Sequence, residues 1–559
     1  MHKIGKMQVL AALVAAWTAA SAQAQVTVPP SGDAGALRQR QIEEEARRRD
    51  EERLRQPITE PLRSDGLHSA PVAPAAGQDQ GPRFQVNTIE FGRSAILGTP
   101  ELEAIARDYQ GRMVTFGELQ QLVARVNALY RARNVVTAQA VISPQDVSQG
   151  VIRVRLVEGR IGQLVLRGNA STQTEFITNR IGLKPGDLVD LDRLEPSLIR
   201  FNRSNDVQLR AELKPGATFG LTDLLVDAVE PARQDFRLTV DNLGSESTGA
   251  WRVGAAYVNR SLLGLRDELS LSTTSADGLN GLSLGYGISV NRWGGRLNLG
   301  VTRDRTAIVH GTLAPLNITG ASDGKTLSLR QPVYVVQQAQ LDLLAGVRRR
   351  ISNNWIDSVF LQRTQTKDHN LGVEAQYFAG DARWLGNYTR YFGEVRVFAP
   401  TSLQIDRGNV RVDKDLGGGY AVRGSLGWQR SEQRNLPSSE QYSIGGDGSV
   451  RGYAPSVLSG DVGHTLNLEW HHPLGRAAIG TSEIAATGFV FFDRGDVTPL
   501  RPPNSALPAR EHLSGIGWGV NAVIDKNISA RIVIGYGLNK LAFDSSRYRI
   551  HFQLVASLL

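Results

Sequence analysis

Phe236-Arg237-Leu238-Thr239-Val240-Asp241 decides how the second half of this chain is read. Apolar and polar side chains alternate strictly, the period of a β-strand with one oily and one polar face. The alternation returns at Leu297, Leu299 and Val301, at Leu466, Leu468 and Trp470, at Ile532, Ile534 and Tyr536, and at Tyr548, Ile550, Phe552 and Leu554. The other face carries Asn298, Glu469, Arg549, His551 and Gln553. From about residue 233 to 559 such segments follow one another without a long apolar run. A strand between lipid and a wet lumen has this signature, and so does a strand of a soluble β-sandwich.

The N-terminus separates the two. Lys3 and Lys6 precede an apolar stretch at 9–16 that continues through Trp17, and Ala22-Gln23-Ala24 offers a small-residue cleavage site. These are the three parts of a secretory signal peptide, here residues 1–24, too short to span a bilayer. Outside it no stretch approaches the roughly 18 apolar residues of a membrane helix. Only a closed barrel could then cross a membrane, because unpaired strand edges cannot be left in lipid. Cysteine is absent, which excludes disulfides and thiolate chemistry. The 58 glycines suit tight turns and crowded barrel walls. Residues 233–559 hold 35 Lys+Arg against 28 Asp+Glu, so nearly all of the formal +8 lies there. That surplus forms no block or arm of the kind nucleic-acid binders use. A basic lumen or lipopolysaccharide-facing loops account for it.

Ahead of the barrel the chain divides into four. Residues 33–56 read as one helix with acidic and basic triplets (Glu43-Glu44-Glu45, Arg47-Arg48-Arg49, Asp50-Glu51-Glu52) at i,i+4 spacing. Its large apolar residues, Leu37, Ile42 and Leu54, are too few for a buried face. Such a helix is either solvated or held in a polar cavity. Residues 57–82, with Pro57, Pro61, Pro71, Pro74 and Pro82, read as an extended linker. Residues 83–160 read as a β-α-α-β-β module, with a strand over 84–91 and a capping box Thr115-Phe116-Gly117-Glu118 opening its longer helix. Residues 161–232 repeat that order, with a second capping box expected at Asp192-Arg193-Leu194-Glu195.

The sharpest short string is Val450-Arg451-Gly452-Tyr453, reached through Ser443-Ile444-Gly445-Gly446-Asp447-Gly448-Ser449. A glycine-rich approach to one arginine describes a loop that packs closely while delivering a fixed positive charge. Phe491-Phe492-Asp493-Arg494-Gly495 is expected at the end of a strand. If Phe492 meets lipid, alternation turns Asp493 into the lumen, where it can pair with Arg451.

At these residues the chain resembles the TpsB transporters of two-partner secretion, which include the filamentous haemagglutinin and haemolysin exporters. The resemblance spans essentially the whole mature chain. It rests on Asp241-Asn242-Leu243-Gly244 with Thr248, Gly249 and Arg252, on the stretch from Leu436 to Tyr453 with Gly460-Asp461, and on Phe491, Asp493 and Gly495. It implies a plug helix within 25–56, POTRA domains at 83–160 and 161–232, and a transmembrane antiparallel β-barrel of about sixteen strands at 233–559. The ending Ser557-Leu558-Leu559 departs from the phenylalanine common in such barrels, which bears on biogenesis.

The implied function is export of one large, unfolded exoprotein through the outer membrane of a Gram-negative bacterium, the POTRA domains standing in the periplasm. Expected partners are that exoprotein, outer-membrane lipids and lipopolysaccharide, and the barrel assembly machinery during biogenesis. An assembly factor of the same superfamily, which inserts other barrels, is the alternative; an ordinary porin would not need two periplasmic modules. Competing chemistry is thin. Thr319-Gly320-Ala321-Ser322-Asp323-Gly324-Lys325-Thr326 resembles a phosphate loop with its first glycine misplaced, in what is expected to be a barrel loop. His471-His472 are expected just before a turn at Pro473, with no third ligand nearby for a metal. No enzyme activity and no cofactor are expected.

Overall fold

The computed structural model describes residues 32–55, 62–63, 81–133, 135, 137–499, 509–525, 527–541 and 546–558. The signal-peptide reading (1–24) and most of the linker (57–82) fall outside these residues. Sixteen antiparallel strands close into a barrel, from Gln234–Asp241 round to Tyr548–Ser557. The last strand pairs with the first over Arg237↔Ser557 to Asp241↔Gln553, leaving no open edge. Alternation sorts the faces as expected for a wall between lipid and lumen. Leu299, Leu468, Trp470 and Ile532 are exposed outward, whereas Asp304, Asp368, His471 and Asp493 are buried inside.

Two small α+β units precede the barrel. In the first, residues 84–91 form two strands rather than one. Phe84–Val86 pairs antiparallel with Arg112–Val114, and Thr88–Phe91 pairs parallel with Val151–Val157, so the chain changes sheet at Asn87. Its helices are α2 (Thr99–Arg107) and α3 (Phe116–Ala132), numbered after α1 (Ala34–Arg55). The Thr115–Glu118 capping box opens α3. The second unit holds α4 (Thr174–Ile181) and α5 (Leu191–Ser204) against strands Arg160–Arg167, Gln208–Pro215 and Leu221–Val229. Its expected capping box is corrected: Asp190, not Asp192, caps α5 by accepting from the Arg193 N–H at 3.0 Å. Asp192 already lies within the first turn. Residues 62–63 of the linker lie parallel against Gln208–Pro215, at the edge of that sheet.

The second unit is tied to the turns at one end of the barrel. Arg266 Nε donates to Asp206 at 2.9 Å, Ser261 Oγ to the Ser171 carbonyl at 2.7 Å, and Arg180 to the Asn291 carbonyl at 3.1 Å. Glu230, at the junction, is partly buried, which favours its neutral form, yet hydrogen bonds from Ser171 and Thr172 hold its carboxyl below the usual range. With the units fixed to this end, the loop between the eleventh strand (Tyr420–Ser431) and the twelfth (Val462–Ile479) leaves from the opposite end.

Two further expectations are overturned. Residues 319–326 lie within the sixth strand, Ile318–Val335, and are no loop. His471-His472-Pro473 do not precede a turn either. The twelfth strand runs through them, absorbing Pro473 with a register shift before Gly475, as strand prolines require.

Candidate functional site

The loop 432–461 does not extend outward but folds back into the lumen. Its base is held by Asp461, whose carboxylate accepts from the Asn435 and Leu436 N–H groups at 2.9 and 3.0 Å. A short hairpin, Tyr442–Ile444 against Leu458–Gly460, carries the tip downward. Ile444, Val450, Tyr453 and Leu458 pack with Val497 and Leu513 of the wall in an apolar cluster. Gly452 sits at φ +99°, a conformation L side chains rarely adopt. The wall gives way to the tip with glycines of its own. A Cβ on Gly515 would lie 2.1 Å from the Arg451 carbonyl oxygen, and one on Gly495 2.9 Å from Val450 Cγ2.

The structure brings the two predicted strings together. Arg451 Nε and Nη2 each donate to Asp493 at 2.7 Å, a bidentate fork, and the Arg451 backbone N–H donates to the same carboxylate at 3.0 Å. Both residues are buried, Arg451 at 2% exposure and Asp493 at 0%. The guanidinium also stacks over Phe491, 3.6 Å from the ring centroid. Phe491, Asp493 and Gly495 are alternate residues of the thirteenth strand (Ser482–Thr498), so one lumenal face supplies ring, carboxylate and clearance. Asp493 therefore lies inside that strand, five residues before its end at Thr498, where an end position was expected. Tyr453 anchors the far side of the tip, its hydroxyl donating to the Ser514 carbonyl at 3.0 Å and accepting from the Asn539 N–H at 2.8 Å.

Three contributors were not placed at this site from the sequence. Glu469 accepts from Arg451 Nη1 and from His471, whose Nε2 is 2.8 Å away, and Asn467 donates to Asp493 at 2.8 Å. All three lie on the lumenal face of the twelfth strand, a position alternation gives without identifying the partner. Glu440 is the fuller surprise. It is 0% exposed and set among Arg348 (3.0 Å), Arg407 (3.7 Å) and Arg350. The loop thus gives an arginine to wall carboxylates at its tip and a carboxylate to wall arginines on its descending limb. Buried charges persist only when paired and hydrogen-bonded in this way.

Helix α1 threads the same lumen. Its 22 residues span about 33 Å at ~1.5 Å per residue. Gly32 at its start meets Thr306 near the loop end of the wall, and Leu54 at its finish meets Arg383 near the end that holds the small domains. Arg252 reaches Glu44 at 3.3 Å, Arg411 reaches Asp50 at 3.5 Å, and Arg47 donates to the Asp447 carbonyl of the loop at 3.3 Å. At its N-terminal end Ser438 of the loop donates to Asp33. Glu44 and Asp50 thus meet wall arginines, and the helix's few apolar residues suffice because the cavity is polar.

The family described as haemolysin secretion/activation protein ShlB/FhaC/HecB matches residues 220–522, and the ShlB-type POTRA domain matches residues 84–159. The outer membrane transporter CdiB of Dickeya dadantii is 27% identical over 423 residues, 71% of this chain and 74% of that protein. The heme/hemopexin transporter protein HuxB of Haemophilus influenzae is 23% identical, covering 71% and 73% respectively. The solved structure of CdiB from Escherichia coli superposes with a TM-score of 0.65 at 19% identity, over 96% of this chain and all of that one.

Proposed function

The chain belongs to the haemolysin secretion/activation family, and from that membership we propose that it moves one large partner exoprotein, unfolded, through the outer membrane. The barrel is the conduit, embedded in the outer membrane, and the two POTRA units stand in the periplasm. The observation that carries the reading is a closed sixteen-strand barrel whose polar lumen is filled by a helix and an inward loop, with two periplasmic units at its mouth. The helix α1 closes the pore at rest, and the Arg451–Asp493 contact keeps the loop at working depth. The POTRA units receive the exoprotein as an extended segment, through sheet edges and apolar grooves. No catalytic step is part of the cycle; folding of the exoprotein outside biases movement outward.

Deleting the gene tests this. Delivery of the partner to the surface or medium should stop while bulk outer-membrane barrels stay at normal levels. Loss of many unrelated barrels would instead identify an assembly factor.

A further inference from the structure

The outward face of the fifth to eighth strands changes character at one level. Going away from the POTRA end, the sixth strand (Ile318–Val335) turns Leu329, Leu327 and then Lys325 outward. The seventh (Ala339–Ile356) turns Leu343, Ala345, Val347 and then Arg349 outward. On the eighth (Val359–Ala379), Leu371 and His369 are followed by Lys367. Pairing sets Lys325 directly opposite Arg349, and Arg349 directly opposite Lys367. One step toward the POTRA end the row is Leu327, Val347 and His369. Leu327 and Val347 are 39% and 43% exposed, so an aliphatic belt gives way to three adjacent cations within one residue pair.

Like charges directly opposite in a sheet destabilise it. Several other outward cations have a carboxylate: Arg303 with Asp323 at 2.8 Å, Arg390 with Asp406 at 3.6 Å, Arg494 with Asp496 at 3.3 Å. Among the described residues Lys325, Arg349 and Lys367 have none. Glu394 stands opposite Lys367 and Asp323 lies two residues from Lys325, but each is paired elsewhere, with Arg396 at 3.2 Å and Arg303 at 2.8 Å, so an anion from outside the chain would relieve the like-charge cost. The edge of an aliphatic belt is where lipid headgroups begin, and this edge is on the side away from the POTRA units. Three neighbouring strands at ~4.8 Å spacing place the cations over a span of about 10 Å, the scale of one headgroup.

We propose that Lys325, Arg349 and Lys367 form a docking site for the phosphates of a phosphorylated glycolipid, the lipid A portion of lipopolysaccharide, in the outer leaflet. Its acyl chains lie along Leu327, Leu329, Val347 and Leu371. The assignment of leaflet rests on the secretion reading; the binding itself does not.

The full chain, reconstituted in phosphatidylcholine bicelles free of lipopolysaccharide, is titrated with bisphosphorylated lipid A, with the same glycolipid after enzymatic removal of its phosphates, and with phosphatidylglycerol. The bisphosphorylated form should bind much the tightest. Replacing the three cations together (Lys325→Gln, Arg349→Gln, Lys367→Gln) should weaken that binding about a hundredfold, at roughly fivefold for each basic side chain near an anionic surface. Exchanging them as Lys325→Arg, Arg349→Lys and Lys367→Arg should restore it. Unchanged affinity of the glutamine variant overturns the proposal, as does equal binding of the dephosphorylated glycolipid or of phosphatidylglycerol. Should the glutamine variant fail to assemble, the three lipids compared on the native chain decide. Secretion is scored separately, so loss of the secretion reading and loss of this site are distinguishable.

Discussion

Helix α1 and the inward loop 432–461 fill one lumen by opposite means. The loop is built in: an apolar cluster, wall glycines that admit its backbone, a bidentate pair at the tip and a carboxylate among three arginines. The helix is held by separate polar contacts. Arg38 Nε, Gln41 Nε2 and both carboxylate oxygens of Asp304 make no hydrogen bond among the described residues, and the Arg38–Asp304 pair is open to 4.0 Å. Directional contacts with imperfect geometry give little net stability each, whereas a desolvated pair is costly to break from one side. The difference suits a helix that leaves the pore and a loop that stays.

The comparison breaks most directly at the tip. Arg451→Ala or Asp493→Ala leaves a buried charge uncompensated, a cost of about 3–5 kcal/mol. Partner delivery to the medium should fail while the barrel still assembles, seen as heat-modifiable migration on a gel. The double variant should be little worse than either single one, as for coupled sites. Full secretion by Arg451→Ala would remove the loop from the mechanism. Gly515→Val should come next, at about 1–3 kcal/mol, because the obstructing atom is a backbone carbonyl that cannot rotate away. The chain lacks cysteine, so a single cysteine at Ser449 reports the seat cleanly: its labelling by an impermeant thiol reagent should rise in the Gly515→Val background.

Arg451→Lys sharpens the comparison, since it keeps the charge and loses the fork. Partial secretion is expected, and full secretion would show that charge alone suffices. Removing residues 33–56 should raise single-channel conductance in planar bilayers with little change in thermal unfolding of the barrel. Unchanged conductance would take the helix out of the resting closure. Arg47→Ala should do least, at about 1 kcal/mol or less for one hydrogen bond to a carbonyl. A small rise in the frequency of open events is the expected readout.

Strand periodicity is a local property, so much of the wall was legible. Alternation put Asp493 opposite Phe492, and in the fold Asp493 is buried while Phe492 is 37% exposed. Where local rules met the barrel, the barrel prevailed. Residues 319–326 were expected in a barrel loop, yet neighbours on both sides offer pairing along their whole length. Pro473 reads as a stop, yet the pairing of 462–479 with 482–498 continues past it with one register shift.

The sequence by itself determined the two α+β units, a wall of alternating strands, a charged helix too poor in apolar residues for a core, and a glycine-rich loop bearing Arg451. Beyond the expected Arg451–Asp493 pair, only the tertiary structure decided which lumenal charges meet. Glu440 among Arg348, Arg350 and Arg407, and Glu469 between Arg451 and His471, join residues up to 92 positions apart. Period two fixes the face on which a side chain lies, but its neighbours across the lumen depend on the register and closure of all sixteen strands together.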